Sequence, residues 1–169
     1  MTDQYEVKRI SKSSIPAALQ KAERYRIIND PSSAESICLD VLEVDPRNQE
    51  ALVTLLLAIT DQLSERLGEG AKRAQELLPL LADEYKRRYY AGIICERCAK
   101  AHLRRGAMGS GEVAYHWFVQ AMEWYQKAEA NRPAGNDEAI LRWNTCARIL
   151  SRDEHIRPRQ EESATPGSE

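Results

Sequence analysis

The chain lacks the features that mark membrane-spanning and secreted proteins. Its longest apolar run, from Ala51 to Ile59, is interrupted by Thr54 and is too short to cross a bilayer. The segment from Met1 to Glu6 lacks the apolar core of a signal peptide. The 4 cysteines are scattered, and without such a signal we expect them to be reduced thiols in a cytoplasmic protein.

The recognisable signatures of common enzymes are also missing. The sequence contains no GxSxG elbow, no P-loop, no HExxH motif and no glycine-rich dinucleotide turn. The glycine-rich stretch at 106–111 follows no strand-like segment, and no Lys-Ser or Lys-Thr pair comes after it. No two carboxylates stand out on an apolar face as an acid–base couple. We therefore expect a non-catalytic protein that needs no cofactor.

What the sequence does contain is helical periodicity. No segment shows sustained period-two alternation, whereas apolar residues recur every three or four positions, which predicts an all-α fold. Charged residues make up 30% of the chain with both signs mixed, as in amphipathic helices with solvated faces. The net charge of −2 argues against a dedicated nucleic-acid binder.

Composition divides the chain into three parts. Residues 1–13 are polar and predict a flexible N-terminus, and residues 14–150 predict one helical domain. Residues 151–169 are charged and then rich in Ser, Pro and Gly, which predicts a disordered C-terminal tail.

Local signals place the helix ends. Ser14 and Asp30 are expected to cap the first two helices, and the third is expected over 48–67, before a turn at 68–70. Pro79 lies inside the fourth predicted helix and should kink or split it.

A helical-hairpin signature appears twice along the chain. In each copy a small residue is followed four positions later by a larger one, then by another small or β-branched residue, and then by a proline. The copies are Ala34, Cys38, Val41 and Pro46, and Ala121, Tyr125, Ala128 and Pro133. An Asn-x-Glu-Ala segment follows each proline closely and opens the next helix. The small residue lets two helices approach, and the proline separates one helix from the next.

This pattern resembles the tetratricopeptide repeat (TPR) family, with Ala22 and Tyr25 at its first-helix positions. Ala18 and Lys21 replace the family's leading Trp and Leu, and glycines at 106–111 imply non-standard helix lengths in the second half. The resemblance implies a right-handed stack of about seven helices in antiparallel hairpins. It also implies a non-catalytic adaptor or scaffold that binds a peptide or helix of a partner protein in a concave groove.

The resemblance places the groove on the first helices of the pairs. The implied partner-binding residues are Leu19, Glu23, Arg26, Glu50, Val53, Thr60, Asp61, Tyr89, Glu96 and Lys100. Two of them are apolar, so a ligand with an apolar anchor is expected. Some TPR domains hold a C-terminal carboxylate with paired Lys, Arg and Asn residues, and Asn144, with Arg142 and Arg148 nearby, is only weakly similar to that set.

A metal-dependent regulatory module is an alternative interpretation. Cys95, Cys98 and His102 share one helical face, and His116 on the next helix is placed to complete a Cys2His2 zinc site. The same cysteines also fit a stripe of small residues suited to close helix packing, which needs no metal.

An RNA-associated helical module is the second alternative. The fifth predicted helix carries basic residues at Lys86, Arg87, Arg88, Arg97, Lys100, Arg104 and Arg105. Trp117 and Trp124 on the next helix share a face and could stack on bases. A solvated, salt-bridged surface explains the basic residues equally, and if they serve binding, an acidic peptide or protein tail is favoured over a duplex.

Overall fold

The computed structural model describes residues 5–160, which form an all-α fold without strands. The helices of this part are α1 (Ile15–Ile27), α2 (Pro31–Val44), α3 (Gln49–Asp61), α4 (Leu67–Leu77), α5 (Glu84–Arg105), α6 (Ser110–Glu129) and α7 (Glu138–Arg152). Single 3-10 turns precede α1 and follow α4. The predicted fold class is thus confirmed. None of the helices in residues 5–160 has the length and apolar character needed to cross a membrane.

Side-chain caps begin three of the helices. The carboxylate of Asp30 accepts a hydrogen bond from the Ser33 amide at 3.2 Å, and the Asn48 side chain accepts one from Ala51 at 2.9 Å. Asp83 begins α5 in the same way. Each cap satisfies an amide that has no partner within the helix. Ser14 occupies the N-cap position of α1 as predicted, but its side chain caps no amide, because its hydroxyl donates backwards to the Ser11 carbonyl.

Pro79 separates α4 from α5. The α-helix ends at Leu77, and the proline lies in the 3-10 turn Leu78–Leu80, after which the backbone is extended. A proline cannot donate to the helical ladder, so the helix stops here and the chain turns towards α5.

The predicted turn at 68–70 is wrong, since both glycines lie in the first turn of α4, and α3 already ends at Asp61. Gly70 serves close packing, because a Cβ there would stand 2.9 Å from Cδ2 of Leu63.

The helices pack as the consecutive hairpins α1/α2, α3/α4 and α5/α6, with α7 against α6. The first members also meet directly, since α1 contacts α3 and α3 contacts α5. Ala34 and Ala121 are completely buried in the core, as the hairpin signature requires. Helix α5 joins the two main core clusters, with Cys98 in one and Cys95 in the other.

The C-terminal segment departs from the predicted boundary at residue 150. Helix α7 continues to Arg152, and Ile156 beyond it is completely buried in the cluster that contains Phe118. Arg157 donates to the carbonyl of Leu150 at 2.7 Å and so satisfies one end of α7. A single isoleucine in a polar stretch gives no periodic signal, which explains the error. Residues 161–169 of the predicted tail lie outside the described residues.

The N-terminal part shows no regular secondary structure between residues 5 and 11, and residues 5–9 are exposed. Ile10 is partly buried beside the small core cluster of Ile15 and Leu19. Residues 1–4 of the predicted flexible N-terminus lie outside the described residues.

Candidate functional site

Side chains from α1, α3, α5 and α7 line one open groove with a volume of about 470 Å³. Its cations are Arg26 from α1, Arg97, Lys100 and Arg104 from α5, and Arg142 from α7. The other lining residues are Ile27, Asn29, Pro31, Thr60, Asp61, Leu63 and Ala101. We call this set of residues the basic groove.

Asp61 ties together cations from two helices at one side of the basic groove. Its carboxylate accepts from Nε of Arg26 at 2.9 Å and from Nη1 of Arg97 at 2.7 Å. The same Arg97 nitrogen donates to the Leu57 carbonyl and to Oγ1 of Thr60, at 3.0 and 2.6 Å. Burial lowers the pKa of the Arg97 guanidinium, and the negative charge of Asp61 partly offsets this effect. The guanidinium is therefore held in one position at the α3/α5 boundary.

A buried carboxylate organises the other side. Glu96 is completely buried and accepts hydrogen bonds from Nζ of Lys100 at 2.6 Å and from the hydroxyl of Tyr125 at 2.7 Å. Arg142 donates to both of its oxygens through Nε and Nη2. Burial alone would raise the pKa of Glu96, but these hydrogen bonds and the charge of Lys100 lower it below its ordinary value. The carboxylate is thus ionised and joins α5, α6 and α7.

Tyr125 reaches Glu96 because α5 offers a gap at Gly92. The tyrosine ring lies against this glycine, and Tyr89 packs near the same ring with its centroid 5.9 Å away. Burial and the negative charge of Glu96 raise the pKa of Tyr125, so its hydroxyl keeps its proton and donates.

Arg104 differs from the other cations of the basic groove. Its Nη1 donates to the hydroxyl of Ser64 at 3.2 Å, and no salt bridge joins it to a carboxylate within residues 5–160. Arg104 is exposed and lies one turn beyond Lys100 on α5. This positive charge is therefore free to meet a ligand.

The structure brings four of the residues implied by the resemblance into the basic groove, namely Arg26, Thr60, Asp61 and Lys100. Glu96 lies buried behind them, and Leu19 belongs to the core with 3% exposure, so it offers no apolar anchor. The remaining four are not lining residues: Glu23, which accepts from Thr54, Glu50, which is exposed, Val53, which is half-buried, and Tyr89, which packs against the ring of Tyr90.

The groove residues that the resemblance did not supply include Arg97, Arg104 and Arg142. The first two could have been found from spacing, since positions 97, 100 and 104 recur on one helical face. Arg142 comes from a helix whose distance from α5 no local pattern gives.

The Cys2His2 set does not come together. Cys95 and Cys98 are buried in separate core clusters, and His116 is exposed. Burial raises the pKa of Cys95 to about 11 and that of Cys98 to about 12, whereas zinc binds thiolates. Across the described ranges, no three His, Cys, Asp or Glu side chains are grouped to hold a metal ion. The geometry gives the metal-dependent interpretation no support.

The tryptophans lie outside the basic groove. Trp117 is half-buried against the core, while Trp124 is 36% exposed with the ammonium of Lys127 4.5 Å above its ring. Trp143 on α7 is 37% exposed. The tryptophans and the groove cations therefore do not form one surface.

Comparisons of the chain with protein-family models, with curated proteins and with solved structures gave no match. The helical hairpins are compatible with a helical repeat, and membership of the TPR family stays a hypothesis.

Proposed function

We propose that this protein is a non-catalytic interaction module whose basic groove holds a peptide or helix of a partner protein. One observation carries the proposal: a single groove receives side chains from α1, α3, α5 and α7. A ligand in this groove would touch elements from every hairpin at once. The resemblance to the TPR family supports the same function, since that family binds proteins through the first helices of its hairpins.

The basic groove is organised before any ligand arrives. Asp61 holds Arg26 and Arg97, and Glu96 holds Lys100 and Arg142, so four long side chains are already oriented. Ordering such side chains on binding costs about 0.5–1.5 kcal/mol each, and preorganisation reduces that cost. This favours a binding surface.

The same chemistry gives little support to catalysis. Within the described residues, the lining of the basic groove contains no histidine and no cysteine. Its titratable groups are arginines, a lysine and the Asp61 carboxylate that two arginines hold. Proton transfer near neutral pH works best with a group that titrates there.

The four free, buried cysteines support a cytoplasmic location for the module.

Photo-crosslinking in the native cell tests the proposal. Ile27 is 80% exposed at the basic groove, so a benzophenone amino acid replacing it should leave the fold intact and face the ligand. Leu80, which is 54% exposed, provides the control. The Leu80 carbonyl accepts a hydrogen bond from Gln49, which begins α3, whereas the groove residue Asp61 lies at the other end of that helix. The two ends of this 13-residue helix are about 18 Å apart, so Leu80 lies away from the basic groove.

We expect position 27 to crosslink a defined segment of another protein that position 80 does not capture. Equal capture at both positions, or no protein captured at position 27, would contradict the proposal.

A further inference from the structure

The basic groove has a charge opposite to that of the chain as a whole. The protein has a net charge of −2, yet this groove contains five cationic side chains and one lining carboxylate, Asp61. When the buried Glu96 and also Glu23, which lies 3.6 Å from Nη1 of Arg26, are added, positive charges still exceed negative ones by two (five minus three). Such a local excess attracts anionic groups and repels cationic ones.

The ion pairs leave hydrogen-bond donors unused. A guanidinium has five N–H donors in a planar fork, which suits the two oxygens of a carboxylate or a phosphoryl group. All three hydrogen bonds that Arg97 donates come from Nη1, so Nε and Nη2 have no partner within residues 5–160. Arg104 uses only Nη1, towards Ser64. These two arginines lie seven positions apart on one face of α5 and can act on the same ligand.

The uncharged part of the lining points to a peptide. The exposed Ile27 and the half-buried Pro31 are aliphatic, and the described lining has no aromatic ring. Proteins that hold single-stranded nucleic acid stack its bases on aromatic side chains. An aliphatic patch beside cations instead suits a peptide with alternating anionic and apolar side chains.

We propose that the basic groove binds a segment whose anionic side chains lie against Arg97 and Arg104 while an apolar side chain lies against Ile27 and Pro31. This inference rests on the proposed function and adds the chemistry of the partner. The anionic groups are side-chain carboxylates or phosphoryl groups, which share the geometry that an arginine fork recognises.

Fluorescence anisotropy with capped synthetic peptides tests the inference. The first probe repeats the unit Glu-Leu-Glu-Glu-Leu, the second has Gln in place of Glu, and the third has phosphoserine. Acetyl and amide caps remove the terminal charges, and a short oligothymidine serves as the nucleic-acid probe. We expect the Glu or the phosphoserine peptide to bind at least about tenfold more tightly than the Gln peptide, with affinity falling as salt rises.

The stronger of the two anionic peptides identifies the source of the negative charge. Equal binding of the Gln peptide, tightest binding of the oligothymidine, or no binding of either anionic peptide would overturn the inference.

Neighbouring arginines give a matched pair of variants. Arg104→Glu reverses a charge in the groove, whereas Arg105→Glu makes the same change one position along, outside the lining. Both residues are exposed, so both variants should keep the circular dichroism and melting temperature of the parent. Arg104→Glu should weaken the anionic peptide by about tenfold and Arg105→Glu by much less. Equal losses would reduce the effect to overall charge and contradict the inference.

The two proposals fail in different ways. If crosslinking at position 27 captures a partner segment that is neutral or basic, the interaction module stands and the anionic ligand is wrong. If position 27 captures nothing, the module itself is wrong.

Discussion

Gly92 of α5 lies directly under the ring of Tyr125 of α6. A Cβ at position 92 would stand 2.6 Å from Cδ1 and 3.0 Å from Cζ of that ring. One turn further along α5, Glu96 accepts the hydrogen bond of the same tyrosine at 2.7 Å. The missing side chain at Gly92 thus allows Tyr125 to reach the carboxylate that orients Lys100 and Arg142 in the basic groove.

Gly92→Ala should therefore destabilise the protein, although alanine is the better helix former. The added methyl group displaces a buried aromatic ring, and such overpacking typically costs about 1–3 kcal/mol. The free energy of unfolding from urea titration measures the effect.

Gly68→Ala is the matched control, since Gly68 lies in α4 and a Cβ there meets nothing within 4 Å. It should raise the free energy of unfolding by up to about 1 kcal/mol. A Gly92→Ala variant as stable as the parent would show that Tyr125 is not held where the structure places it.

The Glu96 network predicts a dependence of stability on pH. The pKa of Glu96 lies below its ordinary 4.5 in the folded protein, so the folded state binds fewer protons than the unfolded state. The resulting stabilisation is present above about pH 4.5 and is lost as the pH falls through the lower folded pKa. Glu96→Gln removes this contribution. Its deficit in free energy of unfolding should be largest near neutral pH and shrink below pH 4.5.

The exposed Glu154 offers the control for the substitution itself. Glu154→Gln should keep the parent's free energy of unfolding at neutral pH. A deficit for Glu96→Gln that stays constant from neutral to acid pH would contradict the ionised, buried carboxylate.

The segment after α7 is predicted to contribute to stability through one residue. Ile156 is completely buried, and a Cβ on Gly111 would collide with the carbonyl of His155, so α6 and this segment are in close contact. Ile156→Ala should cost about 2–5 kcal/mol of unfolding free energy, as for other large-to-small core changes. Removing residues 161–169 should leave the melting temperature unchanged, because the apolar side chains of that stretch are one alanine and one proline. If Ile156→Ala melts like the parent, the segment does not pack as described.

The sequence alone predicted the all-α fold class and the buried side of two helical hairpins. Ala34 and Ala121 mark the buried side of two hairpins because a small residue at a helix crossing leaves a clear periodic signal. Ile156 left none, since one isoleucine in a charged stretch has no partner at helical spacing. The turn predicted at Gly70 is wrong because a glycine that permits close helix packing and a glycine that permits a turn are identical in sequence.

The candidate site could be predicted only in part. Arg97 and Lys100 share a helical face that spacing reveals. Glu96, which the resemblance placed in the groove, is instead buried behind it. Its burial depends on Tyr125 and Arg142, and the latter lies 46 positions away on another helix. Contacts of that range depend on how the helices pack, which local periodicity does not report.

The most direct measurement of the central claim is an NMR titration of the labelled protein with the partner segment captured at position 27. The account predicts that the side-chain N–H signals of Arg97 and Arg104 shift, together with the methyl signals of Ile27. The indole N–H signals of Trp124 and Trp143 should stay in place. Shifts confined to those tryptophans, with the arginine signals unmoved, would contradict the account and move the binding surface to α6 and α7.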